Sequence, residues 1–169
     1  MLADVRRPER IEPGPGQESV WDYPRPPRVE AVTSHVVVEL GGVVIADTRS
    51  AVRVLETSQP PAYYLPRSDL AIGHLVPTRT RTWCEWKGEA SYFTVDAGDR
   101  RAVDAAWTYI DPTRGFEAIT GHVAFYAQLT DRCLVDDEVV AANAGSFYGG
   151  WITSKVVGPF KGDPGTRGW

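Results

Sequence analysis

Short segments that alternate apolar and polar residues dominate the middle of the chain. Residues 35–40 and 43–46 are rich in valine and flank Gly41-Gly42. Because paired glycines favour a tight turn between two strands, this pattern predicts a β-hairpin. Residues 51–56 alternate in the same way and predict a third strand. No eleven-residue window keeps a 3.6-residue period, so long helices are not expected.

Further short strands follow, separated by residues that favour turns. They are predicted at 63–65, 81–85, 90–95, 105–110, 123–127, 133–135 and 138–140. Single helical turns are expected at 68–70, where Ser68 offers a capping hydroxyl, and at 115–119. Closely spaced short strands are typical of a sandwich or a partly open barrel. We therefore predict a mostly β fold with one or two short helical turns.

The two ends of the chain differ in composition from this central region. Residues 1–33 are rich in proline, which cannot donate to a sheet, and predict an arm that is extended or partly disordered. Residues 34–142 form the predicted β domain. Residues 143–169 combine many glycines and prolines with aromatic side chains, so we expect a tail without regular elements. Its aromatic residues predict that it packs on the domain or on a partner subunit, as in a homodimer.

Size and charge narrow the class of protein. A chain of 169 residues with 43% hydrophobic residues suits one soluble domain. The net charge of −4 argues against binding nucleic acid in bulk, which requires clustered lysine and arginine. The N-terminus lacks the apolar run of a signal peptide, and no segment approaches the roughly 20 apolar residues of a membrane span. A cytoplasmic location is therefore expected.

The potential metal ligands are dispersed. Cys84 and Cys133 lie far apart, and none of the three histidines stands at metal-ligand spacing with them. Neither a metal nor another cofactor is therefore expected.

The segment 83–88, Trp-Cys-Glu-Trp-Lys-Gly, is the strongest candidate for a binding site. Strand alternation assigns Cys84 and Trp86 to one face and Trp83 to the other, with a turn at Lys87-Gly88. An indole beside a lysine and a small thiol suits a planar or anionic ligand. The alternative is that Trp86 packs in the core and Lys87 is a solvated turn residue. The pattern leaves both interpretations open.

Four ordered motifs resemble a known family. They read YYLPRSDL, WCEWKGEASY, AWTY and GHVAFY, and they lie at 63–70, 83–92, 106–109 and 121–126. Together they resemble the bacterial and fungal family called domain of unknown function 427, over about residues 30–142. The arm and the glycine-rich tail are similar to extensions of actinobacterial members.

The resemblance implies a β-tent-like fold, in which two antiparallel sheets meet at an angle beside a pocket. In relatives with this general fold, a cysteine-ligated zinc often connects the two sheets. The paired cysteines are missing here, so we expect side-chain packing to hold the two sheets together. The family is sometimes labelled nucleotidyltransferase-like. That activity is not expected, because the chain lacks a Gly-Ser followed by paired aspartates on a strand. The acidic cluster at 136–138 suits a hairpin turn.

Several residues carry the candidate chemistry. Trp107 and Tyr109 project from one face of one strand, and Arg67 could form a bidentate pair with a carboxylate or phosphate. Alternatively, Arg67 forms a surface ion pair with Asp69 or Glu56. The predicted ligand-binding residues are Arg67, Trp86, Lys87, Tyr92, Trp107 and Tyr109.

Three functions are compatible with these residues. The first is a binding module for a planar or anionic metabolite. The second is an enzyme acting on a small metabolite, with His122 as a general base or Cys84 as a nucleophile. A lone histidine is more often structural, and the chain has no Cys-His-Asn pattern to activate the thiol. The third is a protein that self-associates through its tail.

Overall fold

The computed structural model describes residues 8–145 and 147–169. Within these residues the elements are short strands and 3-10 helices of a single turn. The strands are β1 (Glu18–Ser19), β2 (Arg28–Ala31), β3 (Val36–Leu40), β4 (Val43–Thr48), β5 (Val52–Leu55), β6 (Ala62–Tyr64), β7 (Leu75–Cys84), β8 (Gly88–Ala97), β9 (Arg100–Thr108), β10 (Val123–Phe125), β11 (Arg132–Val135), β12 (Glu138–Val139), β13 (Ala141–Ala142), β14 (Trp151–Ile152) and β15 (Val156–Val157). The 3-10 helices are Val20–Asp22, Arg67–Asp69, Ile72–His74, Glu117–Ile119 and Ala127–Leu129. The predicted mostly β fold is confirmed.

Two four-stranded antiparallel sheets enclose the main core. Their strand orders are β12-β11-β3-β4 and β10-β9-β8-β7. Alternate residues of β3 point inward, so Val36, Val38 and Leu40 are fully buried. From the other sheet, Phe93 and Val95 of β8 join the same apolar cluster. The burial of both inner faces holds the sheets together.

A third sheet, β2-β5-β6, continues the edge of the β10-β9-β8-β7 sheet. The link is at Leu65 and Val123, whose backbone N–H groups each donate to the other residue's carbonyl, at 2.9 and 2.8 Å. The combined surface has two faces. One face packs against the main core, and the other carries a second cluster of buried side chains that includes Tyr64 and Trp107.

Two hairpin turns meet where the sheets approach each other. Gly41 and Gly98 have φ values of 60° and 59°, and a β-carbon at Gly41 would lie 2.0 Å from the carbonyl oxygen of Ala97. Asp131 connects the two sheets at the same place. Its carboxylate accepts a hydrogen bond from the Gly41 N–H at 2.7 Å and forms an ion pair with Arg100 of β9. Backbone packing and this ion pair thus connect the two sheets at this corner.

The arm and the tail both contribute strands. β2 lies in the segment predicted as an arm and pairs with β5, whereas β1 pairs in parallel with β15. The expectation that the tail lacks regular elements is wrong, because its backbone groups in β14 and β15 find partners in β13 and β1. Residues 1–7 of the predicted arm lie outside the described residues.

The indole of Trp151 anchors the tail. It is 1% exposed, stacks on Tyr63 at 5.1 Å between ring centroids, and donates from Nε1 to the carbonyl of Phe125 at 2.9 Å.

Several local predictions differ from the structure. The described residues contain five 3-10 turns where one or two were predicted, and the strand predicted at 105–110 is β9, which begins at Arg100. Ser68 does not cap the turn at Arg67–Asp69, because the turn starts one residue earlier, with Pro66 at the capping position. The strand predicted to begin at residue 81 begins at Leu75, and an irregularity in its pairing with β8 interrupts the alternation between residues 77 and 81. Among the described residues, no helix has the length and apolar character needed to cross a membrane.

Candidate functional site

A cavity of about 430 Å³ opens on the face of the combined sheet that points away from the main core. Strands β5 to β9, the turn between β7 and β8, and the C-terminal tail form its walls. Aromatic side chains dominate this lining, namely Tyr64, Trp83, Trp86, Tyr92, Trp107, Tyr109, Tyr126, Phe147 and Tyr148.

Strand register places the central rings. Tyr92 of β8 lies opposite Trp107 of β9, and Trp107 lies opposite Ala124 of β10. The small alanine leaves room beside the indole. Tyr109 stands two residues beyond Trp107, so it projects from the same face of the chain. The sequence-based expectation that Trp107 and Tyr109 share one face agrees with their places in the cavity wall.

The hairpin between β7 and β8 supplies the second part of the site. β7 ends at Cys84 and β8 begins at Gly88, so the turn comprises residues 85–87 and lies slightly before the predicted one. Cys84 and Trp86 pack against the second cluster, whereas Trp83 is 74% exposed at the rim. The Nε1 of Trp86 is buried and has no hydrogen-bond partner among the described residues.

Lys87 brings a positive charge into this aromatic wall. Its Nζ lies 5.7 Å from the centroid of the Tyr109 ring, a cation–π geometry. Burial acts to lower the pKa of Lys87, but the nearby Tyr64 and Cys84 outweigh burial and raise it above the usual lysine value. The amine is therefore protonated at neutral pH, where the Tyr64 phenol is uncharged and does not offset the cost of burying the cation. Among the ion pairs of the described residues, none includes Lys87.

Three buried phenol groups of the cavity wall are neutral. Burial raises the pKa of Tyr64, Tyr109 and Tyr126, so each keeps its proton at neutral pH. The Tyr64 hydroxyl accepts a hydrogen bond from Trp107 Nε1 at 3.3 Å, and the Tyr92 hydroxyl lies 2.8 Å from the Thr82 hydroxyl. These bonds hold the rings in defined orientations.

The tail completes the cavity with residues to which the sequence analysis gave no site role. Phe147, Tyr148, Gly149 and Gly150 line one side, and Lys161 lies over the Tyr148 ring at 5.6 Å. The Tyr126 hydroxyl donates to the Phe147 carbonyl at 3.3 Å. The Gly149-Gly150 pair was visible in the sequence, but nothing local indicated what it packs against.

Arg67 lies outside this cavity. Its Nε donates to the carbonyl of Gly121 at 2.9 Å, and its guanidinium lies 5.5 Å from the centroid of the Phe93 ring, which belongs to the main core. The alternative ion pairs do not form either. Asp69 accepts from the Thr48 hydroxyl, and Glu56 pairs with Arg25.

The structure does not bring the two candidate reactive groups into one cavity. Cys84 lines the cavity, whereas His122 lies outside it, with Nδ1 3.3 Å from the Thr120 carbonyl oxygen. Both cysteines are free thiols.

The structure also tests the acidic residues as metal ligands. Within residues 8–145 and 147–169, no group of three or more histidine, cysteine, aspartate or glutamate side chains could hold a metal. Asp136 and Asp137 form the turn between β11 and β12, with φ values of 48° and 67°. This location agrees with the hairpin interpretation of the acidic cluster.

The fold and the site thus define a mostly β domain with an aromatic cavity on one sheet face. The model of the family described as domain of unknown function (DUF427) matches residues 28–136, well over half of the chain. The chain belongs to this family, as its four motifs indicated. No curated protein matches it. The matched region contains the β strands of the cavity wall, whereas Phe147 to Gly150 and Lys161 lie beyond it.

Proposed function

We propose that this protein binds a planar or anionic small molecule in the aromatic cavity. The observation that carries the proposal is the convergence of Trp86, Lys87, Tyr92, Trp107 and Tyr109 on one cavity. These five residues come from β8, β9 and the adjoining chain, and from the turn that precedes β8. The volume of about 430 Å³ lies in the range of about 300–1,000 Å³ that small-molecule sites have.

The residues suggest separate roles in binding. The half-buried indole of Trp86 offers a face for stacking a flat ligand, and the nearly buried Trp107 adds the part of its ring that borders the cavity. Tyr92 is held by Thr82, and this fixed orientation lowers the entropy lost on binding. The Lys87 amine would receive a negative or polar group of the ligand.

The enzyme alternative has one supporting observation, the thiol of Cys84 in the cavity wall. A base to activate it must lie within about 3 Å of the thiol, and His122 does not line the cavity. Binding without chemistry therefore has more support. Intact-mass measurement after incubation with bound compounds would detect an adduct, and product analysis would detect turnover.

Thermal-shift screening against nucleosides, nucleotides and small planar metabolites tests the binding proposal. We expect at least one compound to raise the melting temperature of the wild type. Trp169→Ala is the control and should show the same rise, because Trp169 packs on Trp21 outside the cavity. The same compound should leave Trp86→Ala unshifted. The proposal is wrong if no compound stabilises the wild type, or if Trp86→Ala keeps the affinity.

Self-association through the tail stays a prediction. Light scattering on the full chain at increasing concentration would test it, and a constant monomer mass would contradict it.

A further inference from the structure

The Lys87 amine differs from the guanidinium of Arg53, another cation that is largely withdrawn from solvent. The side chain of Arg53 is 11% exposed, and it pairs with Glu18 and Glu30 at 2.8 Å each. Lys87 has no carboxylate within ion-pair distance among the described residues. The phenol of Tyr64 and the thiol of Cys84 act on it most strongly, and Glu56 adds a weaker attraction. Burying a charge without a counter-ion costs free energy, which a bound anion would offset.

The Tyr109 phenol beside Lys87 is a hydrogen-bond donor. Its ring lies 5.7 Å from the Lys87 Nζ, and it keeps its proton because burial raises its pKa. An ionised carboxylate is an acceptor-only group with two oxygens, so it complements an amine and a phenol together.

The charge around the cavity favours a single negative charge over a phosphate. Besides Lys87, the charged residues of the lining are Lys161, Glu56 and Glu85, so the two lysines are balanced by two glutamates. The described helices are single 3-10 turns, which offer no helix N-terminus for a phosphate. Phosphate sites usually combine such donors with arginine, and no arginine lines this cavity.

The remaining walls suit a fused aromatic ring. The centroids of Trp107 and Tyr126 are 4.6 Å apart, and those of Tyr64 and Tyr109 are 6.2 Å apart. These four rings are nearly buried, so a flat ligand would contact only the edges that border the cavity. We propose that the ligand is a planar aromatic monocarboxylate, with its carboxylate on the Lys87 amine and its rings among the tryptophan and tyrosine side chains. This inference rests on the proposed function and names the class of ligand.

Calorimetric titration with matched probes tests this class. The probes are 2-naphthoate, its neutral analogue 2-naphthamide, and adenosine monophosphate as the phosphate. We expect wild-type protein to bind 2-naphthoate at least about tenfold more tightly than 2-naphthamide, a difference of about 1.4 kcal/mol. Lys87→Met should remove this preference, Lys87→Arg should keep most of it, and Lys155→Met, at an exposed lysine outside the cavity, should keep all of it. Circular dichroism confirms that each variant is folded.

The outcomes separate the two proposals. If the wild type binds the acid and the amide equally and Trp86→Ala binds neither, the proposal of a carboxylate ligand is wrong, and the proposal of a binding cavity stands. Two further results would contradict the proposal of a carboxylate ligand. One is that folded Lys87→Met still prefers the acid, and the other is that the wild type binds adenosine monophosphate more tightly than 2-naphthoate. If none of the probes binds and the wider screen also fails, both proposals are wrong.

Discussion

Gly149 lies against the indole of Trp107 so closely that a β-carbon on the glycine would be 2.2 Å from Cη2 of the ring. The indole is 7% exposed and its strand is paired on both sides, with Tyr92 and with Ala124. This pairing fixes the backbone of Trp107, so a methyl group on residue 149 would push either the ring into the cavity or the tail away from it. This contact joins the tail to the cavity wall and gives a physical reason for glycine at position 149.

We expect Gly149→Ala to lower the free energy of unfolding by about 1–3 kcal/mol, because the added methyl group displaces either the tail or the indole. Urea unfolding followed by tryptophan fluorescence measures the change. Gly73→Ala is the matched control, since a β-carbon there meets no atom within 4 Å and the residue has no positive φ. Equal stability of the two variants would show that the tail moves aside without cost.

The glycine pair at the β3–β4 turn provides a second comparison. Both Gly41 and Gly42 have positive φ, so alanine at either position pays about 1 kcal/mol for the left-handed backbone. Only Gly41→Ala also collides with a backbone oxygen, that of Ala97. We expect Gly41→Ala to lose about 2 kcal/mol more than Gly42→Ala in urea unfolding. Similar losses would mean that the two hairpin turns separate easily.

Lys87→Met should stabilise the ligand-free protein by about 1 kcal/mol, because it replaces a partly buried cation without a carboxylate partner by an apolar side chain of similar length. Lys155→Met is the control, since that side chain is 67% exposed and its change should stay within about 0.5 kcal/mol. Chemical unfolding without ligand measures both variants. Destabilisation by Lys87→Met would instead indicate that the amine holds Cys84 and Tyr64 together.

The buried thiol of Cys133 should make the protein sensitive to alkaline pH. Burial raises the pKa of Cys133 from its ordinary value of 9.0 to about 12, although Thr130 acts in the opposite direction. As the pH rises, the unfolded chain releases this proton before the folded protein does. The contribution of the protonated thiol to the free energy of unfolding is therefore complete below about pH 9 and is lost as the pH rises from there towards 12. At about pH 10.5 the loss from this group is about 2 kcal/mol.

Urea unfolding of wild type and Cys133→Ala at about pH 7.5 and 10.5, under reducing conditions, tests this effect. Buried tyrosines add an alkaline loss common to both proteins. The wild type should therefore lose about 2 kcal/mol more than the variant between the two values. Parallel losses would contradict the assigned role of the thiol.

The anchor of the tail at Trp151 yields a further prediction. Trp151→Phe removes the Nε1 donor and leaves the buried Phe125 carbonyl without that partner, so we expect a loss of about 1–3 kcal/mol in urea unfolding. Trp83→Phe should change stability by less than about 0.5 kcal/mol, because Trp83 is 74% exposed. A neutral Trp151→Phe would mean that its stacking on Tyr63 is sufficient.

Sequence periodicity located most of the strands because many of them, such as β3, bury alternate residues. The alternation that places Trp107 and Tyr109 on one side is a local property of an extended chain, and so is the Gly41-Gly42 turn. Periodicity was weaker at β7, where the irregular pairing interrupts the alternation, and in the tail, whose strands are two residues long. Such short strands depend on distant partners, which no local pattern records.

For this protein, the sequence by itself determined the β class, most strand positions and the shared face of Trp107 and Tyr109, because these follow from local backbone geometry and from the burial of alternate residues. Only the tertiary structure decided which faces meet. It put Arg67 over Phe93 outside the cavity, and it brought Gly149 against Trp107 from 42 residues further along the chain. The physical reason is that such contacts depend on how whole sheets pack, and sheet packing joins residues with no relation in local sequence.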